Sequence, residues 1–423
     1  MKIKFANALI LPLQNDFETF KGDIVVDDEN IIYVGEKYDG EADKTLDMTD
    51  MLLMPAFKNA HAHGPMTFLR SYADDLPLAK WLNERVFPKE DMLSDEDIKA
   101  FFKVAVLEYL ESGISASFDM YKKDTELRQS VSEKMGYRSI FCSSTADFGP
   151  YVEQDEKDYL KYNYEGSFTG FRFGFHAEYT TSKDLLLKIK ECADKYKAPV
   201  YAHCCETLNE VNSCIERNGM PPVEYLESLG MFENGGGLFH CVHLTDEAIE
   251  IIKKRKLFVI TNPASNLKLA SGIAPIKRLL DEGVCVAIGT DGPASNNCLD
   301  MFREMFLVTA LQKYKEEDAS VVSAEQVLTM ACKNGAYAMG LEDCDCLAAG
   351  KKADIIALDL NRPNMRPSNN IVKNIVYSGS KVNVYMTMVN GRILYLDNKF
   401  YVGEDIREIY DTAEKLMIRY KED

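Results

Sequence analysis

The chain has 423 residues, a formal net charge of −18 from 67 acidic and 49 basic side chains, and a hydrophobic content of 46%. This charge argues against binding to nucleic acid or to an acidic membrane surface, since both are polyanions. No hydrophobic run approaches the ~20 residues that span a bilayer, and the 11 cysteines form no regular secreted framework. We therefore expect a cytoplasmic globular protein with reduced thiols, too long for one ordinary core.

Both ends of the chain alternate short β-rich runs with turn residues, which is typical of antiparallel sheet. The first such region is 1–54 and the second is 347–403, in which Asn390-Gly391 predicts a two-residue hairpin turn. Two β-rich ends around a different middle predict one small β-sandwich built from both termini. Residues 404–423 read as a charged amphipathic helix that closes the chain.

The middle of the chain, residues 55–346, repeats a short apolar run followed by a helical pattern. Buried parallel strands have apolar runs of this kind, and eight strand–helix units in ~250–300 residues indicate a (β/α)8 barrel. In that fold the functional residues lie at the C-terminal ends of the strands. The eight predicted strands are Leu52–Phe57, Ser115–Asp119, Ser139–Ser143, Phe171–Phe175, Pro199–Ala202, Gly237–Cys241, Leu257–Thr261 and Val284–Gly289.

Five of the six histidines fall at the ends of these predicted strands or within them. His61 and His63 are two residues apart, so their side chains point to the same side of a strand. Together with His203, after the fifth strand, and Asp291, after the eighth, they predict a metal site of three imidazoles and one carboxylate. This donor set suits a catalytic Zn²⁺, and Fe²⁺ is chemically possible with the same residues. Either ion would bring the pKa of a bound water towards ~7.

Hydrolysis at such a site also needs a group that carries protons. Glu206 follows His203 by three residues, where its carboxylate could take a proton from water and pass it to a leaving group. The alternative is a solvated glutamate at a helix start. His240 would orient the attacking water with Asp291 as a second acceptor, whereas we interpret His243 as structural. Neighbouring cysteines are expected to pack away from the metal.

Five motifs of this chain resemble the amidohydrolase superfamily. They resemble its mononuclear branch, which includes S-adenosylhomocysteine/5′-methylthioadenosine deaminases, guanine and cytosine deaminases and chlorohydrolases. The resemblance spans nearly the whole chain and implies a metal-dependent deaminase with one divalent ion, a small heterocyclic substrate and a possible homo-oligomeric assembly. The motifs are Asn59-Ala60-His61-Ala62-His63, His203-x-x-Glu206, His240-Cys241-Val242-His243-Leu244, Asn262 to Leu269 and Gly289 to Asn297.

Within that branch, the chain looks most like the adenosylhomocysteine/methylthioadenosine deaminases. The resemblance implies that Trp81 lies on the substrate side, that Glu90 holds ribose hydroxyls and that His176 contacts the purine. Helix packing for Trp81 and a helix-end charge for Glu90 are the alternatives. In one respect the chain departs from the pattern: family members of this kind use arginines after the third strand, and the segment from Ser143 to Tyr151 contains none.

Several other functions are compatible with parts of this pattern. Deamination of guanine, cytosine or a pterin, or chloride displacement from a triazine-like ring, uses similar residues. Binuclear cyclic-amide hydrolysis is disfavoured, because its modified lysine at the fourth strand is replaced by His176 and no lysine follows until Lys183. A non-catalytic relative is also disfavoured, since such a protein should have lost ligands that are all present here.

Overall fold

The computed structural model describes residues 1–76, 78–122, 125–149, 151–164 and 166–420, so the last three residues of the predicted C-terminal helix lie outside it. Two separate sheets organise these residues. One is an eight-stranded parallel barrel built from the middle of the chain, and the other is a nine-stranded mixed sheet to which both ends contribute. The predicted fold class, a (β/α)8 barrel with a small β-sandwich from both termini, is confirmed.

The barrel strands follow one another in chain order around the sheet, and every neighbouring pair is parallel. The amide of Asp291 donates to the carbonyl of His61 over 2.9 Å, which links the last strand to the first. We number them barrel strands 1 to 8: Phe57–Ala62, Ile114–Met120, Arg138–Cys142, Gly170–Ala177, Val200–Cys204, Gly236–His240, Phe258–Thr261 and Val286–Ile288.

The first predicted strand, Leu52–Phe57, is wrong as a single barrel element. Met51–Pro55 belongs to the mixed sheet, where it pairs with Ile355–Asp359, and a new strand enters the barrel at Phe57. The chain changes sheets at Ala56, whose amide donates to the carbonyl of Asp354. Both sheets bury their residues here, so hydrophobicity alone does not reveal the division. The shift places His61 within barrel strand 1 and His63 just after it.

The mixed sheet brings together five strands from the start of the chain and four from its end. An apolar core that includes Phe5, Leu53 and Ile355 fills the space within it. The predicted hairpin turn is confirmed, since Asn390 and Gly391 have φ of 48° and 76° between paired strands. The strands, in spatial order, are Lys399–Phe400, Arg392–Leu396, Val384–Val389, Ile355–Asp359, Met51–Pro55, Lys2–Ile10, Phe20–Asp27 and Asn30–Gly35, with Lys44–Asp47 also paired to Lys2–Ile10.

A buried ionic cluster fastens the barrel to the mixed sheet. Asp354 Oδ1 lies 3.2 Å from Arg138 Nη2, and its Oδ2 lies 3.7 Å from the ammonium of Lys58. Lys58 also donates to the hydroxyl of Ser115 over 2.9 Å. Because these charges are removed from water, they persist only as a mutually compensated set. Lys58 and Arg138 come from barrel strands 1 and 3, and Asp354 immediately precedes a strand of the mixed sheet.

Helices surround the barrel, and many begin with a side-chain cap that satisfies free amides. Within the described residues, none is both long and apolar enough to cross a bilayer. The α-helices are Leu78–Lys80, Phe87–Asp91, Asp95–Glu111, Thr125–Met135, Val152–Tyr162, Lys183–Tyr196, Leu208–Asn218, Pro222–Ser228, Asp246–Arg255, Pro263–Lys268, Ile276–Asp281, Met301–Lys315, Ala324–Thr329, Gly335–Met339, Ile371–Lys373 and Ile406–Met417. The π-helical turns are Trp81–Val86, Met330–Asn334 and Asn374–Ser378, and the 3₁₀ turns are Gly64–Leu69, Glu178–Thr180, Glu342–Cys344, Pro363–Met365 and Lys381–Asn383.

Candidate active site

The C-terminal ends of the barrel strands converge on one buried cluster of histidines and carboxylates. The backbone turns sharply at several of these ends, where Cys205, His240 and Asp291 have φ of 55°, 73° and 61°. Non-glycine residues in this left-handed region cost about 1–3 kcal/mol each, and such strain is concentrated at functional sites. Here the turns place the His240 and Asp291 side chains within the cluster.

Four separations among the predicted ligands are close to those expected around one tetrahedral ion. His203 Nε2 is 3.2 Å from His61 Nε2 and 3.3 Å from His63 Nε2. Asp291 Oδ1 is 3.5 Å from His61 Nε2 and 3.3 Å from His63 Nε2. Ligand atoms at about 2.0–2.1 Å from a tetrahedral zinc stand roughly 3.3 Å apart. The donor set and its spacing therefore fit a single divalent ion.

Hydrogen bonds on the far side of two rings aim their Nε2 atoms inward. His63 Nδ1 lies 2.6 Å from the carbonyl of Met120, and His203 Nδ1 lies 2.7 Å from the carbonyl of His176. A carbonyl accepts, so each Nδ1 carries the proton and each Nε2 keeps its lone pair for a ligand bond. Burial also lowers the pKa of His61 to about 3 and that of His203 well below its ordinary value. The His61 and His203 rings are therefore neutral, as metal ligation requires.

The carboxylate of Asp291 is fixed by its own loop. Its Oδ1 accepts from the amide of Gly292 over 2.8 Å, and its Oδ2 accepts from the hydroxyl of Ser295 over 3.0 Å. Charge-assisted bonds of this kind hold one rotamer and favour the ionised carboxylate. The predicted role of the motif after barrel strand 8 thus acquires a geometric basis, with Ser295 as a supporting residue that the sequence did not single out.

Glu206 is buried beside this cluster at the start of the helix Leu208–Asn218. Its Oε1 lies 3.4 Å from the hydroxyl of Ser271 and 3.8 Å from His240 Nδ1. Burial raises the pKa of the Glu206 carboxyl, which brings it closer to the range in which a group both takes and gives a proton near neutrality. The alternative of a solvated glutamate does not apply, since the side chain is buried.

A second glutamate pins the loop that carries Glu206. Glu210 accepts from the amides of Cys205 and Glu206 over 2.7 and 2.8 Å, and its own amide donates to the hydroxyl of Thr207 over 3.2 Å. This is a capping box, which satisfies free amides at the start of a helix. The side chain of Glu206 is consequently presented from a rigid turn rather than from a mobile surface position.

His240 ends barrel strand 6 with one ring nitrogen already engaged. Nδ1 lies 2.8 Å from Asn266 Oδ1, and a ring nitrogen of His240 falls within 4.8 Å of those of His61 and His203. An amide oxygen accepts, so Nδ1 donates to it. Burial alone would lower the pKa of the His240 ring, but the carboxylates of Glu206 and Asp291 raise it. His243, predicted to be structural, instead bonds through Nε2 to the carbonyl of Ser271 over 2.7 Å.

The three predicted substrate residues line the same cavity as Glu206, His240 and Asp291. Glu90 is only 2% exposed, and its Oε2 lies 3.5 Å from the ammonium of Lys122. His176 Nδ1 lies 2.9 Å from the hydroxyl of Thr180, and burial lowers the pKa of its ring to about 3. Trp81 lines the cavity and also packs in an apolar cluster with Met66.

Sequence reasoning did not single out several other residues that line the cavity, among them Tyr121, Lys122 and Phe148. Tyr121 and Lys122 follow barrel strand 2, and Phe148 lies in the arginine-free loop after barrel strand 3. The rule that strand ends carry function would have indicated all three, but no histidine or motif marks them. Pro150 of that loop lies outside the described residues.

Comparison with known proteins agrees with this geometry. The profile of the Amidohydrolase family matches residues 52–394. A 5-methylthioadenosine/S-adenosylhomocysteine deaminase of Desulfitobacterium hafniense is 38% identical over 421 residues, covering 96% of each chain. A 5′-deoxyadenosine deaminase of Methanobrevibacter smithii is 36% identical over 434 residues, covering 99% of this chain and 98% of the relative.

Solved structures extend the comparison. A zinc-bound adenosine deaminase from Xanthomonas campestris superposes with a TM-score of 0.94 at 27% identity, covering 99% of this chain and 98% of the other. The atrazine chlorohydrolase of Arthrobacter aurescens, at a TM-score of 0.90 and 19% identity over 98% of this chain and 100% of the other, shares the fold. The resemblance inferred from the motifs is confirmed, and the chain belongs to the amidohydrolase family.

Proposed function

We propose that the protein is a zinc-dependent deaminase that hydrolyses the exocyclic amino group of an adenosine-type nucleoside and releases ammonia. The observation that carries the proposal is the convergence of His61, His63, His203 and Asp291 on one point beside the buried carboxylate of Glu206. The enzyme class, a deaminase that hydrolyses a C–N bond outside peptides, is supported by the family and by the deaminases among the relatives.

In this proposal, His61, His63, His203 and Asp291 would hold the ion, which would supply hydroxide near neutral pH by lowering the pKa of water. Zinc is favoured over iron by the nitrogen-rich donor set and by the zinc-bound relative. Iron(II) remains compatible with the same ligands.

Glu206 is the proton carrier of the reaction. It takes one proton from the attacking water and delivers it to a ring nitrogen of the heterocycle. It then takes the second proton, from the hydroxyl of the tetrahedral adduct, and delivers it to the amino group, so that the C–N bond breaks and a carbonyl and ammonia form. His240 orients the water through the ring nitrogen that Asn266 does not engage, and Asp291 is the second acceptor. The contact of Glu206 with Ser271 keeps the carboxylate aimed into the cavity.

Binding of the nucleoside is assigned to the other side of the cavity. Glu90 accepts hydrogen bonds from the two ribose hydroxyls, His176 contacts the purine, and the indole of Trp81 provides an apolar wall. A buried carboxylate at this place favours a nucleoside over free guanine, cytosine or a pterin, because a bare base has no diol to satisfy it. The names of the relatives point to the same class of substrate.

The test is an ammonia-release assay on purified, metal-analysed protein. Adenosine, 5′-deoxyadenosine and 5′-methylthioadenosine are compared with guanine, cytosine, a pterin and a chlorinated triazine at equal concentration. We expect deamination of the adenosine-type nucleosides with about one zinc per chain. Turnover of a free base or a triazine with no turnover of any nucleoside would overturn the proposal.

A further inference from the structure

The cavity above the histidine cluster has a buried floor and an exposed entrance with different chemistry. The floor holds the histidines and carboxylates described above, together with Glu90 and Trp81. The entrance is formed by side chains that are partly or largely exposed, and we call this group the mouth. The mouth consists of Leu78, Leu82, Phe87, Lys122, Phe148 and Tyr179.

Apolar side chains dominate the mouth. The rings of Phe87 and Phe148 lie 5.8 Å apart, and Phe87 lies 6.1 Å from the ring of His176. Phe148 is 57% exposed although it is large and apolar. Apolar groups left in water at the rim of a cavity gain free energy when an apolar part of a ligand covers them.

The charge of the mouth is already compensated. Lys122 is the only lysine or arginine among the described residues that line the cavity. Its ammonium lies 2.8 Å from Asp91 Oδ1, 3.5 Å from Glu90 Oε2 and 5.3 Å from the centre of the Phe87 ring. With two carboxylates against one ammonium, this corner offers no free cation to an incoming carboxylate.

The orientation of a bound nucleoside follows from the proposed function, on which this inference rests. With the amino group of the purine at the histidine cluster and the ribose hydroxyls at Glu90, the substituent on the 5′ carbon lies towards the mouth. We propose that the mouth makes the enzyme selective for adenosine-type nucleosides with a small, uncharged and apolar 5′ substituent. Among the described residues of the mouth, the carboxylate of a 5′ amino-acid substituent gains no free cation, and the hydrated zwitterion keeps the rim aromatic rings in water.

The test measures kcat/KM for three nucleosides that differ only at the 5′ position. These are 5′-deoxyadenosine, 5′-methylthioadenosine and S-adenosylhomocysteine. We expect 5′-methylthioadenosine to exceed S-adenosylhomocysteine at least about tenfold, the size of effect that a few buried apolar atoms produce in a pocket. Equal or better turnover of S-adenosylhomocysteine would overturn the inference while leaving the proposed function intact. Absence of turnover with all three nucleosides would overturn the proposed function and the inference with it.

A substitution at the rim tests whether the mouth causes the selectivity. Phe148→Arg adds a cation and removes an apolar ring at an exposed position, and it should reduce the preference at least about threefold. Tyr314→Arg adds the same charge at a side chain that is 79% exposed on the helix Met301–Lys315, away from the lining residues, and should leave the ratio unchanged. The same ratio in Phe148→Arg as in the unmodified protein would contradict selection by the mouth. An equal shift in both variants would assign the effect to net charge and contradict it as well.

Discussion

His61 Nε2 and His203 Nε2 lie 3.2 Å apart. The rings come from barrel strands 1 and 5, on opposite sides of the barrel, and both have a pKa lowered by burial. Because the carbonyl of His176 accepts from Nδ1 of His203, the lone pair of that ring lies on Nε2. The fold therefore brings two neutral nitrogen donors from distant segments together at a spacing that suits ligands of one divalent ion.

The first prediction concerns the metal content of the purified protein. We expect about one zinc per chain by elemental analysis, and chelation should abolish ammonia release and lower the unfolding temperature, because the ion binds only the folded state. His203→Asn should lose the metal and at least about 10²-fold in kcat/KM. His243→Asn is the control for metal content, since its Nε2 bonds to the carbonyl of Ser271 outside the ligand group. Two ions per chain would rule out a mononuclear site.

The second prediction concerns Glu206 as the proton carrier. Glu206→Gln keeps the shape of the side chain but removes its proton-accepting charge, so kcat should fall roughly 10²–10⁴-fold. The metal content and KM should change little, because Glu206 is not in the predicted ligand set. Steady-state kinetics and metal analysis of one preparation measure all three quantities.

An exposed glutamate supplies the control for that substitution. Glu247 lies in the first turn of the helix Asp246–Arg255 and is exposed, so Glu247→Gln should retain full activity. If kcat of Glu206→Gln is nearly that of the unmodified protein, Glu206 is not the proton carrier and His240 becomes the candidate for that role.

Part of this site could be predicted because its residues are rare and bear a fixed relation to the strands. Few histidines occur in the chain, and a strand's alternation places His61 and His63 on one side whatever the surroundings. The eight repeated strand–helix units then place His203 and Asp291 at the same end of the barrel as His61 and His63. Chemistry at strand ends is accordingly readable from local sequence.

Other features depend on packing between distant segments and have no local signal. The change of sheet at Ala56 is decided by a bond to the carbonyl of Asp354, almost 300 residues away. Likewise, Lys122 and Phe148 follow barrel strands, but no histidine or motif marks them, and it is the packing of their loops that turns them towards the cavity. Burial and partnership across the fold, rather than residue type, determine these roles.

The third prediction concerns the acid stability of the Asp354 cluster. Burial alone raises the pKa of Asp354, but Arg138 and Lys58 outweigh it and hold the value at about 2, below the ordinary 3.8. A carboxyl whose pKa is depressed in the folded state contributes stability above its unfolded pKa and loses it as the pH falls through the folded value. This contribution, about 2 kcal/mol, should therefore disappear between about pH 4 and pH 2.

The unfolding free energy of Asp354→Asn, measured at several pH values, tests the predicted contribution of Asp354 to acid stability. The variant leaves two buried cations without their shared partner, so its unfolding free energy at neutral pH should drop by about 3–5 kcal/mol. Its stability should also vary less than that of the unmodified protein between pH 4 and pH 2. Asp39→Asn removes a solvent-exposed pair with Lys37 and should leave the unfolding free energy nearly unchanged. Equal losses of unfolding free energy in the two variants would contradict a stabilising role for the Asp354 cluster.

The fourth prediction links the end of the chain to the substrate side of the cavity. The hydroxyl of Tyr420 donates to Asp97 Oδ2 over 2.8 Å, and its carbonyl accepts from the ammonium of Lys89 over 3.2 Å. Its ring packs edge-on against Phe68 at 5.1 Å. Lys89 adjoins Glu90 in the short helix Phe87–Asp91, so the C-terminal segment supports the helix that presents the proposed ribose-binding carboxylate.

Tyr420→Ala removes the hydroxyl bond and the ring packing that hold the Tyr420 carbonyl at Lys89. It should therefore raise KM for an adenosine-type substrate roughly five- to thirtyfold, as expected for losing one or two contacts of about 1 kcal/mol each. kcat should stay nearly constant, because the metal ligands and Glu206 belong to other segments. Tyr420→Phe keeps the ring and should recover most of the affinity. Tyr410→Ala, at an exposed position of the helix Ile406–Met417, is the matched control. If kcat of Tyr420→Ala falls by as large a factor as KM rises, or if neither changes, this contact does not position Glu90.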